Sequence, residues 1–261
     1  MARASWQGYI TLGGLGIPVR LYPATQSLQP RFTLLHADDG SPVERSWRCQ
    51  QEQREISHQE TIRAIEDTPG HYITITDREL ERASSAPLRT VTIKQFCDDG
   101  SVAPLYYARS FYAVAGKGGE RAYALIREVF ARTQSMAIAE FTLRLQDHIA
   151  ALAVHGDVLM LHQLHFAAEI LPRSSLKTPA LPKPSPTEIA RLMTVVERFR
   201  GPFYIEDYHD EHSEQIRELI ERKRQGLPAP RHERPAAHAT PEADIVATLE
   251  QALRTPHAMN A

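Results

Sequence analysis

The run WQGYITLGGLGIPVRLYP, residues 6–23, sets the terms for the rest of the chain, because it admits an extended hairpin and little else. Trp6, Gly8, Ile10 and Leu12 alternate with Gln7, Tyr9 and Thr11, the period of a strand buried on one face. Gly13, Gly14 and Gly16 follow, and glycines after a strand raise the question of a phosphate cradle. Such a loop must open a helix, whose unpaired N–H groups hold the anion. Here the glycines lead instead into Ile17-Pro18-Val19-Arg20-Leu21-Tyr22-Pro23. Two prolines with β-branched and aromatic residues between them read as an extended edge strand. The glycines are therefore expected to turn a hairpin. The same segment is no secretory signal: glycines and a proline break it, Arg20 follows directly, and no small-residue cleavage pattern comes after. No apolar run approaches the roughly 18 residues a bilayer span needs, so no membrane association is expected and the cytoplasm is the expected compartment.

Short strands continue along the first two thirds of the chain. HYITITDREL (71–80) and RTVTIKQFC (89–97) alternate, and PLYYARSFYAVAG (104–116) and DVLMLHQLHFAAEI (157–170) are further strand candidates. GERAYALIREVFART (119–133) instead carries Tyr123, Ile126, Val129 and Phe130 at helical spacing. Many strands with one or two helices point to a barrel. A chain of 261 residues, 42% hydrophobic, has room for one sizeable domain with appendages or for two small ones. Its only cysteines, Cys49 and Cys97, leave room for one bridge at most and fit a reducing compartment.

The segment from about Leu28 to Gly70 differs from its surroundings: it is polar, charged and poor in clear strands. It carries Arg31, Arg45, Arg48, Arg54 and Arg63. Two readings stand side by side, a surface for a polyanion and a solvated loop of mixed charge. The net charge of −2 gives no global sign of a nucleic-acid partner, yet 25 of the 30 basic residues are arginine, whose planar fork suits phosphate oxygens. Where the charges lie matters more than their sum.

After Pro172 the composition shifts to a linker, RSSLKTPALPKPSP. A helix then begins with a capping box of Ser185 and Glu188 and with Pro186 at its first position, and its stripe is Ile189, Leu192, Met193, Val196 and Phe199. A second helix over 208–226 has early acids and late bases that match its dipole, with a narrow stripe of Ile216, Leu219 and Ile220 that suits docking better than core burial. A proline-rich tether and a short last helix complete the chain.

No arrangement of residues announces catalysis. His162 and His165 fall on opposite faces of a strand, His209 and His212 sit among carboxylates on a solvated helix face, and Cys49 lacks a second thiolate because position 52 is Glu. A nucleophile elbow and a Walker loop are both missing. The expectation is therefore a protein that is not an enzyme and uses neither a cofactor nor a metal.

Five blocks in order, SWQGYITLGGLGIPVRLYPAT, RFTLLHADDGSPVERSWRC, HYITITDRELE, the stretch from FYAVAG to RAYALIREVFARTQSMAIAEFTLR, and YIEDYHDEHSEQIRELIERKRQG, resemble the bacterial Ku family, the DNA-end-binding proteins of non-homologous end joining. The resemblance implies a mainly β fold with α: a Ku-type barrel with an inserted bridge, two copies forming a dimeric ring around duplex DNA, and a helical C-terminal region. It implies a core over 1–172 with the DNA-encircling bridge at about 28–70, a helical arm and partner-docking region over 173–226, and a tether with a terminal helix over 227–261. Arg20 matches a basic position of the family, Arg31 precedes its Phe, and Arg45 and Arg48 fall on the basic stretch before its cysteine. With Arg54 and Arg63 these are the expected DNA contacts, while Ile216, Leu219 and Ile220 are expected to dock the multifunctional ligase D. The implied partners are double-stranded DNA ends, ligase D and a second copy, on the nucleoid. Glu52 stands where many relatives have a second cysteine, the arginine after the last barrel strand is missing from AEIL, and no long lysine-rich tail is present. A β-barrel regulator or a nucleotide enzyme is the alternative.

Overall fold

The computed structural model describes residues 3–83, 89–143, 146–229 and 247. It divides into two compact units, residues 3–27 with 33–175, and residues 28–32 with the chain from 176 onward. The first unit runs β1 (Trp6–Leu12), β2 (Leu15–Pro23), β3 (Trp47–Arg48), β4 (Glu55–Ile56), β5 (Arg63–Thr68), β6 (His71–Ile75), α1 (Asp77–Ala83), β7 (Thr90–Asp98), β8 (Tyr107–Ala115), α2 (Glu120–Thr133), β9 (Ser135–Leu143), β10 (Gln146–His155) and β11 (Val158–Leu164). Seven of these strands close a barrel in the order β1-β2-β8-β11-β10-β9-β7. Every pairing is antiparallel except the closing one, where β1 and β7 run parallel through Tyr9↔Thr90, Ile10↔Val91 and Thr11↔Thr92.

The opening hairpin forms as its alternation requires. Ile10 and Ile17 face each other across β1 and β2 and are fully buried, and Gly13 takes the left-handed φ of +57° that the turn needs. The second strand is not an edge, however, since β2 pairs with β1 on one side and β8 on the other. Its prolines are tolerated because each lies where a ladder has ended. The Pro18 carbonyl faces β8 and accepts from the Gly116 N–H, but register pairing with β8 begins only at Val19. Pro23 shares the side of Leu21, whose carbonyl takes the Ser5 N–H, beyond the last β1 residue at Trp6.

β9 and β10 lack the alternation of the other strands because both of their faces are covered. Ala137, Ala139, Phe141, Ala150 and Leu152 point into the barrel core. Met136, Ala151 and Ala153 belong to a second cluster outside it, packed with Val102, Tyr106 and Tyr107. α2 adds Tyr123, Ile126 and Phe130 to the inner core, whereas Val129 of the expected stripe is exposed. The strand expected to reach residue 170 stops at Leu164, and Ala167–Glu169 forms a helical turn.

The described residues between β2 and β7, 24–83 and 89, hold more strand than their polarity indicates. β3 pairs with β4, and β5 with β6 in a hairpin that turns at Gly70, φ +82°. In the second unit, α3 (Pro186–Phe199) starts with the capping box of Ser185 and Glu188, and α4 (Glu211–Arg224) is capped by Asp210. α4 thus begins later than the sequence pattern indicates, after a separate helical turn at Ile205–Asp207. Apart from residue 247, which is helical and exposed, the last helix and all of its tether beyond residue 229 lie outside the described residues. Among the described residues no helix is long and apolar enough to cross a membrane.

Candidate nucleic-acid interface

The excursion between β2 and β7 is organised by ion pairs and turns more than by core. The loop joining β3 to β4 closes through Cys49 N–H to the Arg54 carbonyl (3.0 Å) and Gln53 N–H to the Cys49 carbonyl (2.9 Å). Ser46 Oγ donates to Glu55, and Trp47 stacks on His58 with ring centroids 6.0 Å apart. Arg54 bridges the loop to the helical turn after it, with Nε 2.6 Å from Glu52 and Nη1 3.0 Å from Glu60. Glu60 also receives the Ser57 N–H, and these donors hold its carboxyl below the usual range. The Arg54 guanidinium is raised in turn, first by Glu60 and then by Glu52. Glu52, at the position that leaves Cys49 without a second thiolate, thus serves as an ion-pair partner. Among the described residues no group of three His, Cys, Asp or Glu is placed to hold a metal.

The six expected DNA-contact arginines are all exposed but are differently engaged. Arg54 is neutralised by two carboxylates, Arg63 lies 3.3 Å from Asp77, and Arg48 gives its Nε to the Gln53 carbonyl at 2.8 Å. Arg45 stands before β3, and Arg31 falls in the 28–32 segment of the second unit. Arg20 is on the outer face of β2, because its neighbours Val19 and Leu21 point inward. Around it lies a groove of about 480 Å³ that sequence reasoning missed, lined also by Arg89 and Lys117. A single alternating strand marks Arg20 as outward-facing, but no sequence signal ties it to residues so distant in the chain.

A larger hollow, about 760 Å³, opens at the barrel end where β2 finishes, lined by Pro23, Arg109, His148, Gln163 and His165 among others. Gln163 Nε2 meets His148 Nδ1 at 3.1 Å, and burial lowers the affinity of that imidazole for a proton. On α4, Ile216, Leu219 and Ile220 share one side and are half-buried, beside a fully buried Ser213. Ser213 is fixed by Asp210, whose carboxylate accepts its N–H at 3.0 Å and its hydroxyl at 2.5 Å.

Together these features define a class: a closed β-barrel interrupted between two strands by a long arginine-bearing insertion and continued by amphipathic helices. The family model described as the Ku70/Ku80 beta-barrel domain matches residues 11–190. A protein of Symbiobacterium thermophilum named "Non-homologous end joining protein Ku" is 34% identical over 99% of this chain, which spans 64% of that relative's length. A protein of the same name from Anaeromyxobacter sp. is 33% identical over 97% of this chain and 87% of its own, and one from Archaeoglobus fulgidus 31% over 86% and 89%. The chain belongs to the Ku family.

Proposed function

We propose that this protein binds the ends of double-stranded DNA without regard to sequence, as a ring of two copies, in non-homologous end joining. It acts on the nucleoid as a non-catalytic clamp. The observation that carries the reading is the membership just described, joined to an insertion that leaves and rejoins the barrel on either side of β1 and bears Arg31, Arg45, Arg48, Arg54 and Arg63. Backbone contacts position a protein on DNA without specifying sequence, which suits a ring that must accept any end.

A second copy is supported by apolar surface that this chain leaves uncovered. Ile65, Tyr72 and Ile73 of the β5–β6 hairpin are at least half exposed, and a two-stranded hairpin is marginal by itself. On α3, Ile189, Met193, Val196 and Phe199 are likewise exposed along one stripe. We assign residues 1–172 to the ring, 173–226 to the arm and to recruitment of ligase D through Ile216, Leu219 and Ile220, and 227–261 to a tether with a terminal helix.

The test compares linear duplex with closed circular DNA of the same sequence in a gel-shift titration. A threaded ring retards the linear form and ignores the circle. Equal retardation of both would remove the ring.

A further inference from the structure

Three cations from widely separated parts of the chain line one groove on the outer face of the barrel: Arg20 from β2, Arg89 at the start of β7, and Lys117 just past β8. No carboxylate lines it, and among the described residues no ion pair reaches any of the three. Lys94 and Arg132 of this unit have acidic partners, Glu140 at 2.9 Å and Glu128 at 2.8 Å, whereas other exposed arginines such as Arg45 and Arg109 stand without one among the described residues, so it is the convergence of three cations on one groove that sets this place apart. Like charges drawn together without compensation repel one another, and an anion relieves that repulsion.

The backbone beneath the groove is built to bring these residues close. A Cβ on Gly8 would lie 2.0 Å from the Arg89 carbonyl oxygen, so only glycine lets the chain before β7 come down on β1. That carbonyl accepts the Tyr9 N–H at 3.0 Å. On the other side, Gly116 donates to the Pro18 carbonyl at 2.7 Å, and a Cβ on Gly119 would meet Pro18 Cδ at 2.6 Å. Arg89 itself holds a left-handed φ of +62°, which glycine adopts without strain and arginine does not. Gln53 and Gln134 share this backbone region, but Arg89 alone of the three brings a charged side chain to the groove.

We infer that Arg20, Arg89 and Lys117 form a phosphate-binding groove at the root of the insertion, and that its ligand is the backbone of the duplex the ring encloses. The inference rests on the DNA-end reading above. The location favours duplex over a free phosphate: Arg89 is where the insertion rejoins the barrel, and Arg20 lies three residues before the insertion leaves at Pro23. A groove about 480 Å³ in volume, walled by Gly8 and Gly116 and open to solvent on its outer side, suits a chain passing across it.

The test is the double variant Arg89→Gly with Lys117→Ala in the full chain. Glycine at 89 relieves the backbone strain, so the melting temperature is expected to match or exceed the parent's, which separates lost binding from lost folding. Affinity for linear duplex should drop about tenfold at fixed salt, and the slope of log K against log salt should shallow by about 1.8, or 0.9 per contact. An unchanged slope with a parent that binds linear duplex would overturn the duplex as the ligand of the groove and leave the end-binding reading standing. A parent that does not bind linear duplex would overturn both. Titration with inorganic phosphate separates the two sources of the anion: saturable binding lost in the variant, beside an unchanged duplex slope, would overturn the duplex as ligand.

Discussion

Tyr123 does more for the barrel than its apolar ring accounts for. Its hydroxyl donates to the Ala113 carbonyl at 2.6 Å and accepts the Leu159 N–H at 2.8 Å, standing between the first paired residues of β11 and β8 and tying α2 to both. Burial pushes its phenol upward, so it remains a donor. Tyr123→Phe keeps the packing but leaves two buried backbone groups unpaired, and a loss of about 2–4 kcal/mol in a denaturant titration is expected. His162 carries a pH dependence. Burial first, and His155 next, lower its pKa below the ordinary 6.5, against a smaller opposing pull from Asp99, and Ser110 Oγ lies 2.8 Å from its Nδ1. The unfolded chain therefore takes up the proton before the folded one does. Stability is full above about pH 7, falls as pH drops through 6.5, and levels once both forms are protonated. The fall in melting temperature between pH 7.5 and 5 should shrink in His162→Gln; an undiminished fall would place the effect on other groups. Sequence reading found arginines at this scale but not their engagement. Arg54 and Arg63 look like Arg45 in the chain, and only the fold brings Glu52, Glu60 and Asp77 to the first two.

α4 is the element whose role is most open to direct trial. Its stripe of Ile216, Leu219 and Ile220 is half-buried, so part of each side chain is already covered and part remains for a partner. Leu219→Asp should abolish stimulation of the cognate ligase, by placing a charge in an apolar contact, while duplex threading continues. If the variant loses DNA binding and keeps ligase contact, the helix belongs to the ring. Elements with strong local signals were legible in the chain: the β1–β2 hairpin from its glycines, α3 from Ser185, Pro186 and Glu188, and α2 from Tyr123, Ile126 and Phe130. β9 and β10 were not. Their alanines pack against neighbours on both faces, which erases the period of two, and Ala by itself favours a helix. The strands of the insertion were hidden for the opposite reason: β5 is exposed along its whole length, so no buried face imposes a pattern.

For the whole molecule, the uncovered faces of β5–β6 and α3 would make the proposed second copy a matter of stability as well as of function. Light scattering should return twice the chain mass of 29.4 kDa down to low micromolar concentration, and a stable monomer would contradict the ring. The closing pair of the barrel has a further consequence. Among the described residues β1 meets its second neighbour through three rungs, Tyr9 to Thr11 against Thr90 to Thr92, with a hydroxyl contact of 3.2 Å between Thr11 and Thr92. The ladder that leads from β2 to those rungs passes through β8, β11, β10 and β9, so the circuit is incomplete until Leu164 is available. Pairings that span so much sequence form slowly, because each loop must be closed before it is rewarded. During synthesis, then, the insertion and its cations emerge from the ribosome well before the barrel that anchors them can exist. The insertion is made first and held in place last, and a chain halted before its eleventh strand would present exposed strands and unpaired apolar side chains such as Ile65 and Ile73 with no closed barrel to fix them.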